Sequence, residues 1–134
     1  MRRFVLILFA AALAAGCIAR APKPRSEPAA GPVLEREQVL TLLNEALRAQ
    51  AKGDLPSATG SARRALAGAR SGNWSDLAAD AHFLLGEIFG QESLPRQSAE
   101  AFAQAYDWSR RANDRPRGIR ALNALANVLL DVGD

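Results

Sequence analysis

The 134-residue chain has one cysteine, Cys17, and one histidine, His82. A lone thiol excludes a disulfide framework, and one thiol with one imidazole is too few ligands for a structural zinc site. Aromatic residues make up only 6% of the chain, so a core must be built mainly from Leu and Ala. Val, Ile, Thr and Tyr are sparse and no stretch alternates with period two, which argues against a sheet. The glycines are scattered at turns, with no phosphate-binding loop. No Gly-x-Ser-x-Gly surrounds a serine, and the dispersed carboxylates form no evident acid–base couple. Neither an enzymatic activity nor a cofactor is expected. No apolar run reaches the ~20 residues that span a bilayer. Strong charge of one sign is also missing. Seventeen Lys and Arg face 14 Asp and Glu. Setting aside Arg2 and Arg3, in a segment expected to be removed, leaves 15 against 14. Such a balanced surface gives no electrostatic reason to propose nucleic acid as a partner.

What is present begins with an address. Met1-Arg2-Arg3 precedes a 12-residue apolar run from Phe4 to Ala15, the layout of a signal peptide. The run ends in Leu13-Ala14-Ala15-Gly16-Cys17, which resembles the lipobox of bacterial lipoproteins, with Ala14 where that family usually has Leu. The resemblance implies cleavage after Gly16, lipidation of Cys17 and export. With Ile18 rather than Asp next, it also implies the periplasmic face of the outer membrane in a Gram-negative cell. The bland alternative is a signal peptide with an incidental cysteine. From Cys17 to Pro32, four prolines (Pro22, Pro24, Pro28, Pro32) favour extended backbone. At ~3 Å per residue this tether reaches roughly 45 Å. Its basic residues Arg20, Lys23 and Arg25 are read as solvated, with anionic headgroups as the alternative.

Residues 33–134 read as a helical domain of about five helices. Helix one is expected from Leu34 to Lys52, ended by Gly53. Helix two is capped by Asp54 and runs to about Arg70. Helix three starts at a capping box of Asn73 and Asp76 and reaches about Gly90, with Trp74 packed across the previous helix. Helix four spans Pro95 to about Ala112, and helix five Arg117 to Val132. Gly86, inside helix three, costs ~1 kcal/mol relative to Ala. Close approach of a second backbone, with Ser98, Ala99, Ala101 and Ala105 as the partner face, is a reason to keep it.

Ala46, Gly86 and Ala126 recur at intervals of 40, as do Leu42, His82 and Leu122, and Ala49, Phe89 and Leu129. Gly53, Ser93 and Gly133 follow at the turns, while Ala58 matches Ser98 and Ala62 matches Phe102. A fixed period with small residues in register is the pattern of a stacked-helix solenoid. Leu85-Gly86-x-x-Phe89 followed by Ser98, Phe102 and Ala105 resembles the tetratricopeptide repeat, and Leu125-Ala126-x-x-Leu129 resembles the start of another unit. The period departs from that family's usual 34. Glu45-Ala46-x-x-Ala49 in the first unit is degenerate.

The resemblance implies an all-α, antiparallel helix-hairpin solenoid that binds an envelope protein or peptide on the concave face formed by the first helix of each pair. That face takes Leu40, Leu43 and Leu47, then Asp80, Phe83 and Glu87, then Arg120, Asn123 and Asn127. The last trio can grip a peptide carboxylate. The bland reading is ordinary exposed polar residues. The cluster Arg110, Arg111, Arg115, Arg117 and Arg120 is read as a solvated corner offset by Asp107 and Asp114, with an acidic partner as the alternative. His82 is expected to pack rather than react; an envelope hydrolase using it is the remote alternative. Helix five carries Leu122, Leu125, Leu129, Leu130 and Val132 around much of its circumference. This raises a second reading, a self-associating domain or a piece of a longer array.

Overall fold

The computed structural model describes residues 33–133, so the signal segment, Cys17 and the tether lie outside the described residues. Within them the fold is all-α, a run of helix hairpins. Its helices are α1 (Arg36–Ala51), α2 (Leu55–Ser71), α3 (Ser75–Gln91), α4 (Pro95–Arg111) and α5 (Arg115–Gly133). Each packs against its neighbours in the chain. In addition α1 touches α3 and α3 touches α5, whereas α2 and α4 do not meet. The odd-numbered helices therefore converge on one face and the even-numbered helices stand apart on the other.

The 40-residue period divides into two equal steps. Leu55, Ser75, Pro95 and Arg115 open successive helices 20 residues apart, and each of the first four helices is closed by the same turn. The residues Gly53, Asn73, Ser93 and Asn113 have φ of 77°, 57°, 58° and 53°. The N–H after each donates to a carbonyl five residues back at 2.9 Å, as Asp54 to Ala49 and Trp74 to Ala69. This is a Schellman cap, which satisfies the last carbonyls of the helix and reverses the chain in three residues. Asn73 therefore does not cap α3, contrary to the capping-box expectation. Its tolerance of the left-handed region assigns it to ending α2, and Trp74 occupies the N-cap without a side-chain bond.

Other ends differ less. Glu35 and Gln38 form a reciprocal capping box, so α1 starts at Arg36 rather than Leu34. Asp54 accepts from the Ser57 N–H at 3.2 Å and caps α2 as expected. The α5 helix begins two residues before the expected Arg117, with Pro116 in its first turn, where a missing N–H is tolerated.

The core follows the small residues. Ala58, Ala62, Ala65 and Ala69 of α2 are fully buried against α1 and α3, with Val39, Ala46, Ala78 and Ala81 in the same cluster. A Cβ on Gly68 would lie 2.7 Å from Val39 Cγ2. The α3 helix lies between two neighbours and buries eight residues, including Leu84, Leu85 and Ile88.

Gly86 is needed for a reason other than backbone approach. A Cβ there would come within 2.7 Å of Phe102 Cδ1 and Cε1, so the ring of α4 occupies the space of the missing side chain. The Ser98 hydroxyl donates to the Gly86 carbonyl at 2.7 Å from the same helix. Trp74 packs against the core as expected, with its indole over Gly72.

Candidate binding groove

The convergence of α1, α3 and α5 leaves a groove of about 380 Å³ on the inner face. Its first wall is apolar. Leu40, Leu43 and Leu47 recur at three and four residues along α1, and Leu40 and Leu47 remain 41% and 48% exposed. The floor comes from the matching turns of α3, with Asp80, Phe83, Leu84 and Glu87. Arg117 and Arg120 of α5 form the opposite wall.

Arg117 holds the α5 side in place. Its Nε and Nη2 donate to the two Asp80 oxygens at 2.8 and 3.1 Å, a bidentate fork across 37 residues. Its Nη1 also donates to Asp114 Oδ2. The other Asp114 oxygen accepts the Arg117 backbone N–H at 3.0 Å and caps α5. These bonds hold the Asp114 carboxyl below the usual carboxylate range and raise the Arg117 guanidinium, the pairing with Asp80 contributing most to the latter. A second fork joins Arg36 of α1 to Asp76 of α3 at 3.2 and 2.5 Å. That pair holds the Asp76 carboxyl low. Two arginine forks thus tie the odd helices together at their N-terminal ends.

Arg120 lies with its guanidinium carbon 3.8 Å from the Phe83 ring centroid, a cation–π contact. Phe83 in turn sits 5.2 Å from Phe102, the rings tilted by 59°. A continuous stack therefore runs from Arg120 on the surface, through Phe83, to the ring that fills the Gly86 notch. Glu87 lies one turn along α3 from Phe83. The surrounding walls withdraw water and raise its carboxyl, opposed by the charge of Arg120 and a bond from Gln50. Among the described residues neither Arg120 nor Glu87 enters an ion pair. The groove thus presents a cation and a carboxylate outside these ion pairs, together with an aliphatic wall. Apolar contact with flanking polar recognition is the chemistry this arrangement provides.

Of the residues expected on the face, the structure brings together the three leucines with Asp80, Phe83, Glu87 and Arg120. Asn123 and Asn127 are exposed further along α5 and do not line the groove. The Arg117–Asp80 fork fixes the N-terminal end of α5 against α3, and contact between these helices is sparse beyond it. The role of Arg117 was not read from the sequence. An arginine with carboxylates three residues before it and nearly one period before it carried the signal.

The rest of the arginine cluster disperses. Arg110 lies over Tyr106 and Arg111 over Trp108, with the guanidinium carbons 5.9 and 4.5 Å from the centroids. His82 faces the other side of α3, half-buried in a groove of about 470 Å³ between α2 and α4 with Leu66, Leu85 and Phe89. Burial, helped by the charge of Arg70, lowers its pKa to about 4. Among the described residues no group of three His, Cys, Asp or Glu is placed to hold a metal ion. No protein-family model, curated protein or solved structure matches the chain.

Proposed function

We propose that this chain is a lipid-anchored interaction scaffold of the bacterial cell envelope, and that its inner groove receives a segment of another envelope protein. The observation that carries the reading is the juxtaposition of Leu40 and Leu47, exposed on one wall, with Glu87 on the floor and Arg120 on the opposite wall, neither of them in an ion pair. A complementary segment places apolar side chains on the leucines, an acceptor at Arg120 and a donor or cation at Glu87. Binding removes more water from Glu87, so a segment lacking that donor leaves a costly unsatisfied group. The equal helical steps and small-residue notches support kinship in design with tetratricopeptide repeats, which bind partners on this face.

The anchor is carried by the N-terminal sequence. A lipidated Cys17 holds the domain at a membrane, on the outer-membrane periplasmic face if the cell is Gram-negative, and the proline-rich tether lets it reach outward.

Crosslinked capture from intact cells tests the groove. The wild-type chain is expected to retain a partner that Leu40→Asp with Leu47→Asp loses, and that Arg120→Glu loses at least in part. Undiminished capture by both variants rules the groove out. Globomycin sensitivity, and loss of membrane association in Cys17→Ser, test the anchor; a wild-type chain that is soluble and unlipidated ends that part.

A further inference from the structure

Charge is divided unequally between the two faces of the fold. Of the even-numbered helices, α2 carries Arg63, Arg64 and Arg70 with no carboxylate, and α4 carries Arg96, Arg110 and Arg111 against Glu100 and Asp107. The odd-numbered helices carry five arginines against six carboxylates. All six even-helix arginines are exposed, and helical spacing sets them on the sides away from the buried Ala62 and Ala65 of α2 and Phe102 and Ala105 of α4. Pairing is unequal too. Arg36 and Arg117 of the odd helices are held in carboxylate forks, whereas on the even helices only Arg96 enters an ion pair, with exposed Glu100 at 3.4 Å. Arg110 and Arg111 rest on Tyr106 and Trp108, contacts that steady the side chains without neutralising them.

From this segregation we infer that the face built by α2 and α4 lies on an anionic phospholipid surface, with the inner groove turned away from it. Charge complementarity names the partner: guanidinium forks match phosphate oxygens. Three further observations favour lipid over another polyanion. First, the arginines are spread over two helices that do not meet, which suits mobile headgroups better than a fixed set of carboxylates. Second, the exposed Pro56, Gly60 and Ala67 between the α2 arginines are small, so a flat surface can approach closely. Third, from Val33 onward the chain has 12 basic against 13 acidic residues, so no long-range field draws a free nucleic acid to it. A basic residue close to an anionic leaflet is worth about a fivefold gain in partition, within a screening distance of ~10 Å. Such a patch is effective where another link already holds the surface near. The orientation therefore rests on the lipid-anchored reading proposed above, in which the tether supplies that link. The groove of α1, α3 and α5 is then left open to the partner.

Vesicle binding by residues 17–134 carrying Cys17→Ser tests the face without the lipid, so a failed anchor and a failed face are told apart. This chain is expected to co-sediment at low salt with vesicles of phosphatidylglycerol and phosphatidylcholine, and not with phosphatidylcholine alone. Arg63→Gln with Arg64→Gln and Arg70→Gln should lower the partition by roughly tenfold or more with helix content unchanged, because all three side chains are exposed. Arg48→Gln on α1 should lower it by less than about twofold. A fluorophore on Ala67→Cys of α2 should be quenched by spin-labelled headgroups well above one on Asn44→Cys, which lines the groove. Equal partition onto the uncharged vesicles, or partition indifferent to the α2 substitutions, overturns the assignment. So does quenching at Asn44→Cys that equals or exceeds that at Ala67→Cys, or tighter binding to single-stranded DNA than to the vesicles.

Discussion

The α3 and α5 helices are built on the same pattern 40 residues apart, yet they lead different lives. Leu85 and Leu125, Gly86 and Ala126, and Phe89 and Leu129 are counterparts. Between α2 and α4, α3 buries eight residues; packed chiefly against α4, α5 buries Gly118 and Ala121. The apolar pattern of a repeat helix specifies two contact faces. Whether both are dry depends on neighbours that the helix itself does not encode. Stability in this chain is accordingly concentrated around α3, as expected where each repeat buries its face only against the next.

The notch at Gly86 breaks the comparison most forcefully. Phe102 is 4% exposed, and Phe102→Ala is expected to cost ~3–5 kcal/mol in chemical denaturation. Leu129→Ala, 58% exposed on α5, should stay within about 0.5 kcal/mol. Gly86→Ala gains helix propensity but drives a methyl into the Phe102 ring, for a net loss of ~1–3 kcal/mol. The two α3–α4 substitutions are coupled. In the Phe102→Ala background, Gly86→Ala should lose most of its cost, giving a coupling of ~1 kcal/mol or more. Additive behaviour would mean that the ring is not what the glycine accommodates.

The same contrast explains what the sequence could disclose. Five helices, their turns and the hairpin order follow from apolar spacing and from Gly, Asn and Pro at the breaks, because those are local properties. The inner wall of Leu40, Leu43 and Leu47, and the Asp80, Phe83 and Glu87 floor beside it, were legible because the odd helices run in register. Asn123 and Asn127 could not be placed, since leaving the groove depends on how α5 is tethered by Arg117. Gly86 was legible as a close contact but not as a seat for Phe102: spacing marks which residues meet across a hairpin, not which atom fills the gap. Asn73 misled for a related reason, since asparagine suits both a helix start and a left-handed stop.

A second test exchanges a residue between the two helices and reads the effect of pH. His82 and Leu122 are counterparts, one half-buried between α2 and α4, the other exposed. Burial first, and the Arg70 charge second, lower the His82 pKa to about 4. An unfolded histidine titrates near 6.5, so below that pH the unfolded chain binds the proton first. Stability should therefore fall between pH ~6.5 and ~4. The slope is at most ~1.4 kcal/mol per pH unit, and smaller where solvent screens the half-buried ring. Below ~4 a separate loss begins. Asp76 is held low by Arg36, Asp54 by Ser57 and Asp114 by the Arg117 N–H, so their contributions vanish as they take up protons. His82→Leu should flatten the upper window and leave the lower one. A slope between pH 6.5 and 4 that survives His82→Leu would assign it to other groups.

The smallest effect compares the turns that end successive helices. Ser93, which closes α3, sits at φ 58°, a region that costs a non-glycine residue ~1–2 kcal/mol. Its counterpart one period earlier is Gly53, at φ 77°. Nothing lies within 4 Å of a Cβ built on Gly53, so the restriction there is conformational rather than steric crowding. Ser93→Gly should raise stability by ~1 kcal/mol or less, because the added freedom of glycine in the unfolded chain offsets part of the relief. Gly53→Ser should lower it by a similar amount. Asn73→Gly should change little, since asparagine already tolerates that backbone. A melting midpoint that falls in Ser93→Gly would show that the serine side chain supports its turn, making the α3–α4 corner unlike the other three.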